Sequence, residues 1–294
     1  MGIISYNKHR LISLLKYLNT KPGFSRLFYW IHEIRKNEFN TDKFMAFEMN
    51  EGYLLGCYNN KVNTTWKRFA EDTFEIEDTA IIKRMAPYFN YFIDIGAHIG
   101  YYSCLISRLR PESTIIAFEP SLENFKSLKK NIEINNIKNA IIYPIGLGIK
   151  KEKLILYGID AMGSIIKGTY SQIPEKSSLV DIDKLDNYID KVPQKASVFI
   201  KIDVEGNEHF VLQGASEFIK KIRPIGFIIE ICRDWSGGKN PNFINTFLLM
   251  EKYDYDSYEI KEGAILEKIV NKDRLNGANY IFIRKDLSSK LEKI

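Results

Sequence analysis

The stretch from Tyr91 to Ser103 reads "YFIDIGAHIGYYS". A short apolar run ends in an acid, Asp94. Two glycines, Gly96 and Gly100, then bracket three residues before a helix-like pattern starts. Alone, the stretch fits a buried strand with a tight turn after it. Its surroundings decide the fold. Downstream, apolar runs ("STIIAFEP", "AIIYPIGLG", "ASVFIKIDVEG", "IGFIIEIC") alternate with amphipathic ones ("SLENFKSLKKNIEINN", "NEHFVLQGASEFIKKI", "NFINTFLLMEKYD"). Strands that are apolar on both faces, alternating with helices, predict an α/β fold. Its sheet is doubly wound and mostly parallel, with helices on both faces. The closing runs "DSYEI" and "NYIFIRK" have no helix between them and predict an antiparallel C-terminal edge.

Upstream the rhythm differs. Residues 8–19 and 24–37 have helical periodicity. "FMAFEMN" and "GYLLGCY" read as strands of a hairpin turned at Asn50-Glu51-Gly52. We expect residues 1–70 to form a helical extension with this small hairpin, and residues 71–294 to form the α/β domain. Residues 150–196 break the alternation and read as an insertion beside the sheet, suited to contacting a substrate.

Composition narrows the classes. The chain has 294 residues, 45% hydrophobic and 27% charged, as in ordinary globular proteins. No apolar run approaches the ~20 residues that span a bilayer, and no signal peptide is read at the start. Three scattered cysteines give neither a metal motif nor a disulfide framework, which fits a cytoplasmic setting. Residues 1–36 carry a net charge of +6 against +5 for the chain, leaving the rest at −1. A near-neutral body argues against nucleic acid as partner. The basic, aromatic start suits a helical cap, or contact with an anionic membrane surface, such as the inner face.

In a doubly wound sheet, ligands sit at the carboxyl ends of the strands. The Asp94–Gly100 turn lies there and opens a helix whose free N–H groups carry partial positive charge. A dinucleotide turn wants GxGxxG around a dianionic pyrophosphate, beside which Asp94 would sit awkwardly. S-adenosylmethionine (SAM) has no phosphate but carries an ammonium, a sulfonium and a carboxylate, which an acid and helix-start amides suit better. Gly96, Ala97, His98, Gly100 and Tyr101 would then frame the cofactor. Glu119, 25 residues beyond Asp94 at the tip of the second strand, would take the ribose hydroxyls, with Pro120 next to it at the cofactor. His98 faces the cofactor carboxylate or the substrate, or else solvent.

A third station is "VFIKIDVEGNEHFVLQGA". Lys201 inside an apolar run needs a partner, and Asp203, Glu205 and Glu208 are near enough. Asp203 and Glu205 emerge at one strand end and Glu230 at the next, so the three carboxylates converge over one pocket. Grouped carboxylates raise one another's pKa and can supply a general base; Asp203 would also border the cofactor. The same residues also fit an ion-pair network that only shapes the sheet edge. Three carboxylates could hold a divalent metal ion, though no ligand spacing demands one.

"FIDIGAHIGYYS", "AFEPSLENFKSLKKNI", "LDNYI", "KIDVEGNEHFVLQGA" and "FIIEIC" together resemble the FkbM family of SAM-dependent methyltransferases, from about Glu75 to Arg284. The resemblance implies a seven-stranded class I (Rossmann-like) methyltransferase fold. It implies O-methylation of a hydroxyl on a sugar, a glycan or a natural product. It assigns SAM to Asp94, Gly96, Gly100 and Glu119, and places Asp203 and Glu205 at the active site. His98 departs from the asparagine common there. On this reading Lys201 stabilises the carboxylates or the substrate oxygen, and Asp203 or Glu205, then Glu230, takes the hydroxyl proton. The alternatives are a nucleic-acid methyltransferase, which "DVEG" disfavours for want of an aromatic to stack a flipped base, and a non-catalytic scaffold for glycan assembly.

Overall fold

The computed structural model describes residues 44–58, 74–158, 164–165, 177–235, 238–272, 275 and 278–291. The two N-terminal helices expected from the sequence lie outside them. The chain opens with β1 (Phe44–Glu48) and β2 (Leu54–Tyr58), an antiparallel hairpin turned at Asn50-Glu51-Gly52 as its sequence predicts. There follow α1 (Ile76–Met85), β3 (Tyr91–Ile95), α2 (Tyr101–Leu109), β4 (Thr114–Phe118), α3 (Leu122–Ile134) and β5 (Ala140–Tyr143). Then come β6 (Gly146–Leu147), β7 (Glu152–Tyr157), β8 (Ser177–Asp183), β9 (Val198–Ile202), α4 (Glu208–Gln213), α5 (Ser216–Ile222) and β10 (Gly226–Ile231). The two-residue strands β11 (Asp234–Trp235) and β12 (Gly238–Lys239) pair with each other. The described chain ends with α6 (Phe243–Lys252), β13 (Tyr255–Lys261), β14 (Ile265–Lys268), β15 (Ala278–Arg284) and α7 (Lys285–Leu291).

The main sheet runs β14-β13-β15-β10-β9-β3-β4-β5. From β10 to β5 all neighbours are parallel; β15 is antiparallel to β10 and β13, and β14 to β13. The antiparallel C-terminal edge is as expected, but the sheet has eight strands rather than seven. The addition is β14, whose "ILEK" is mostly exposed and has no apolar alternation to reveal it.

Alternation within the central strands feeds two cores. In β9 the residues Val198, Ile200 and Ile202 face α4, α5 and α6 through Val211, Phe218 and Phe247. Phe199 faces the other way, into a core with Ile82 of α1, Leu105 of α2 and Leu55 of β2. Burial of each such side chain stabilises the fold by about 1.5–3 kcal/mol. Lys201 shares the Phe199 face, so its ammonium emerges beneath α1 and α2.

Helix α3 starts at Ser121, whose hydroxyl accepts from the Asn124 amide, and lies along the outer edge of β2. The amides of Leu54, Gly56 and Tyr58 donate to Asn135 Oδ1 (2.7 Å), Asn131 Oδ1 (2.7 Å) and Ser127 Oγ (3.2 Å). The match is geometric: four residues of helix rise about 6 Å, close to two residues of strand. Asn131 Nδ2 also donates to the Gly56 and Ile99 carbonyls, both at 2.7 Å.

Asn207–Ile222, helix-like throughout by sequence, divides into α4 and α5 at Gly214. A Cβ there would lie 1.9 Å from the Gly148 carbonyl oxygen, so another segment presses on the chain at that point. Within 150–196, β7 and β8 join β6 in a separate three-stranded sheet with a small core of Leu156, Val180 and Ile182.

Candidate active site

The glycine turn is built by contact between neighbouring strand ends. The Gly96 and Ala97 amides both donate to the Phe118 carbonyl at 3.0 Å, and the Asp203 amide donates to the Ile95 carbonyl at 2.9 Å. Gly96 has φ +80°, and a Cβ on it would stand 1.8 Å from the Asp203 carbonyl oxygen. Only glycine fits both constraints. His98 is also left-handed, at φ 51°, which turns its amide onto Glu119 Oε2 at 2.8 Å. Gly100, at φ 89°, opens α2.

Glu119 is 5% exposed. Its Oε1 accepts from the Ser121 amide at 2.9 Å and from Asn124 Nδ2 at 3.5 Å. Burial raises its pKa, against the opposing pull of His98 and the amide donors. A carboxylate offers about four lone-pair sites; three are taken here, so one on Oε2 remains for a ribose hydroxyl.

Asp94 lies deeper than its sequence position suggests. It is 1% exposed, accepts from Ser103 Oγ at 2.6 Å, and is the register partner of Lys201. Burial raises its pKa, while Lys201 and Ser103 oppose the rise. Its carboxylate therefore ties β3 to α2 beneath the turn. Tyr101, expected at the cofactor, turns its side chain away: its hydroxyl meets Thr79 Oγ1 at 3.2 Å and its ring packs edge-on against Phe74. Its ring joins the core that Ile81, Ile82 and Met85 of α1 help to form. Pro120 is half-buried and faces Gly146.

The third station gathers charge. Lys201, 4% exposed, donates to Asp203 Oδ2 at 2.6 Å and stands 5.0 Å from the centre of the Tyr102 ring. Burial alone would lower its pKa, but Asp203, Glu75 and Asp94 outweigh it and hold the ammonium charged. Asp203 resists its own burial through Lys201 and a hydrogen bond with Glu230, and its pKa is lowered. Glu230 is pushed well up, first by the Asp203 charge and then by burial. Glu205 is raised to about 8 by burial, with Asp203 and Glu208 adding to it. It is held at φ 54°, and its carbonyl accepts from Ser164 Oγ of the insertion at 2.6 Å. Backbone strain of this kind, about 1–3 kcal/mol, persists where the surroundings impose it. Glu208 accepts from the Gly206 amide at 2.7 Å and is raised to about 7, mainly by burial.

The sequence-predicted Lys201, Asp203, Glu205 and Glu230 thus come together at adjacent ends of β9 and β10. Sequence reasoning missed Glu75, Asp78 and Tyr102. Tyr102 donates to Glu75 Oε2 at 2.6 Å, and Asn279 of β15 donates to Asp78. Burial, then Glu75, raises Asp78 to about 7. "EIEDTAIIKRM" has helical periodicity, and only tertiary packing brings its acids to the site. Among the described residues, no group of three or more His, Cys, Asp or Glu is placed to hold a metal ion.

The residues present fit SAM. Glu119, anchored by the His98 and Ser121 amides, keeps an acceptor site for a ribose hydroxyl, and the carboxylates beside Asp203 suit a cationic ligand. From β5 to β13 the strand order and the turn after β3 define a class I methyltransferase fold. The chain belongs to the methyltransferase FkbM domain family, whose model matches residues 94–257. It is 27% identical over 158 residues to Methyltransferase 1 of Beauveria bassiana (strain ARSEF 2860), covering 44% of this chain and 59% of that protein. It is 23% identical over 138 residues to the hexuronic acid methyltransferase AglP of Haloferax volcanii, covering 47% and 54%. The chain thus spans about half the length of the curated relatives it matches. Among solved structures, it is similar to an O-methyltransferase from Bacillus cereus in complex with SAH, at TM-score 0.43 and 12% identity, covering 76% of this chain and 86% of that one.

Proposed function

We propose that the protein transfers the methyl group of SAM to a hydroxyl of a sugar, a glycan or a natural product. The observation that carries this is the meeting of Asp203, Glu205 and Glu230 at the strand ends beside the Gly96 turn. The hexuronic acid specificity in the name of the Haloferax relative favours a saccharide acceptor. When bound, SAM supplies an electrophilic methyl carbon on a sulfonium, which leaves as a neutral thioether once the acceptor oxygen has taken the methyl.

The residues of the chain align and deprotonate. Glu119 holds the ribose, and the Gly96–Gly100 turn, packed on Asp203 and Leu128, fixes where the rest of the cofactor lies. Glu205 takes the acceptor hydroxyl proton. At a pKa of about 8 it is the carboxylate tuned for proton transfer near neutral pH, whereas Asp203 is held ionised by Lys201 and is the weaker base. Glu230, protonated, bonds to Asp203 and limits repulsion among the carboxylates. Ser164 fixes the Glu205 backbone, so the insertion bears on how the acceptor meets its base. Alignment of oxygen, methyl and sulfur provides the remaining acceleration.

Calorimetric titration with SAM tests the first half: absence of binding by the full chain sinks the proposal. Radiolabelled methyl transfer from SAM to a panel of hexoses, hexuronic acids and their glycosides, with RNA as comparison, tests the second. Label on a sugar is the expected result, and label on RNA alone would overturn it.

A further inference from the structure

Glu75 precedes residue 94, where the family match begins, yet its side chain reaches the reaction rim. It caps α1 at φ 43° and accepts from the Tyr102 hydroxyl at 2.6 Å. The Tyr102 ring lies under the Lys201 ammonium at 5.0 Å, and that ammonium bonds Asp203 at 2.6 Å. Lys201 is therefore held from two sides, by a carboxylate and by an aromatic face. The carboxylate of Glu75 draws the phenolic proton, which enriches the ring and strengthens its attraction for a cation. We infer that Glu75, from outside the matched segment, and Tyr102, from within it, are positioning residues that together fix the Lys201 ammonium on Asp203. The inference rests on the methyl-transfer reading for its consequence, which is an ionised, immobile Asp203 beside the base Glu205. Its geometry does not depend on that reading.

Lysine ammonium NMR on the full chain reads this without an acceptor. The Lys201 signal is identified by its loss in Lys201→Met, and in the wild type it should exchange slowly with water and be shifted by the Tyr102 ring. Glu75→Gln keeps the acceptor but removes its charge, and should speed exchange by about tenfold, the difference between a hydrogen bond to a charged group and one to a neutral amide. Tyr102→Phe keeps the ring but breaks the link to Glu75, and should do the same. If one assembly is at work, the double variant exchanges no faster than either single one. Wild-type exchange in Glu75→Gln, or additive effects in the double variant, would overturn the inference. Should Glu75→Gln not fold, Tyr102→Phe carries the test alone, since it adds no atom. Titration of the same wild-type sample with SAM separates the two readings. A protected Lys201 without SAM binding fails methyl transfer but supports the assembly. SAM binding with exchange unmoved by Glu75→Gln fails the assembly alone.

Discussion

At the scale of single residues, the proposed mechanism divides the site into groups that hold and one that reacts. Glu205→Gln should lower kcat about 10²–10⁴-fold, the range for a lost general base, while calorimetry shows SAM affinity retained. In the wild type the rate should climb as pH passes about 8, where Glu205 ionises, and that limb should vanish in the variant. Glu119→Ala should instead weaken SAM binding by about tenfold or more, as hydrogen bonds to a buried carboxylate are lost. The turn itself was legible: an acid, two spaced glycines and a second acid at the next strand tip mark where the ends of β3, β4 and β9 meet. Side-chain direction was not. Asp94 sits under the turn because Ser103 and Lys201 claim it, and Tyr101 turns to Thr79 because α1 offers its ring a core. Glu75 could not be read at all, since its partner, Tyr102, is distant in sequence.

At the scale of elements, the central strands announce themselves through runs such as "YFIDI" and "VFIKI", and the hairpin through its turn. What the sequence conceals are features set by a neighbour. The split at Gly214 follows from the Gly148 carbonyl, and the seat of β2 follows from α3. Asn131→Ala would leave the buried Gly56 amide and carbonyl without partners, at about 1–3 kcal/mol each. The unfolding midpoint should fall by several degrees in a calorimetric scan, whereas a substitution at exposed Lys129 on the same helix should leave it in place.

At the scale of the molecule, buried acids set the response to pH. Folding raises Asp78 from 3.8 to about 7, Glu205 from 4.5 to about 8 and Glu208 from 4.5 to about 7. Between these limits the folded chain holds protons that the unfolded chain has released, so stability falls as pH rises through the window. Asp203, whose pKa is lowered, acts oppositely, but its contribution is lost only as pH falls below 3.8. Denaturant midpoints should therefore be higher near about pH 5.5 than near about pH 8.5, and Glu205→Gln should flatten the difference. No helix among the described residues is long and apolar enough to cross a membrane. The seat of β2 on α3 also has a bearing on biosynthesis. Gly56 and Asn131 are 75 residues apart. At about 5–20 residues per second, the ribosome delivers the asparagine roughly 4–15 seconds after the strand. Through that interval the nascent hairpin has a bare edge, which is when a chaperone has most reason to attend to it.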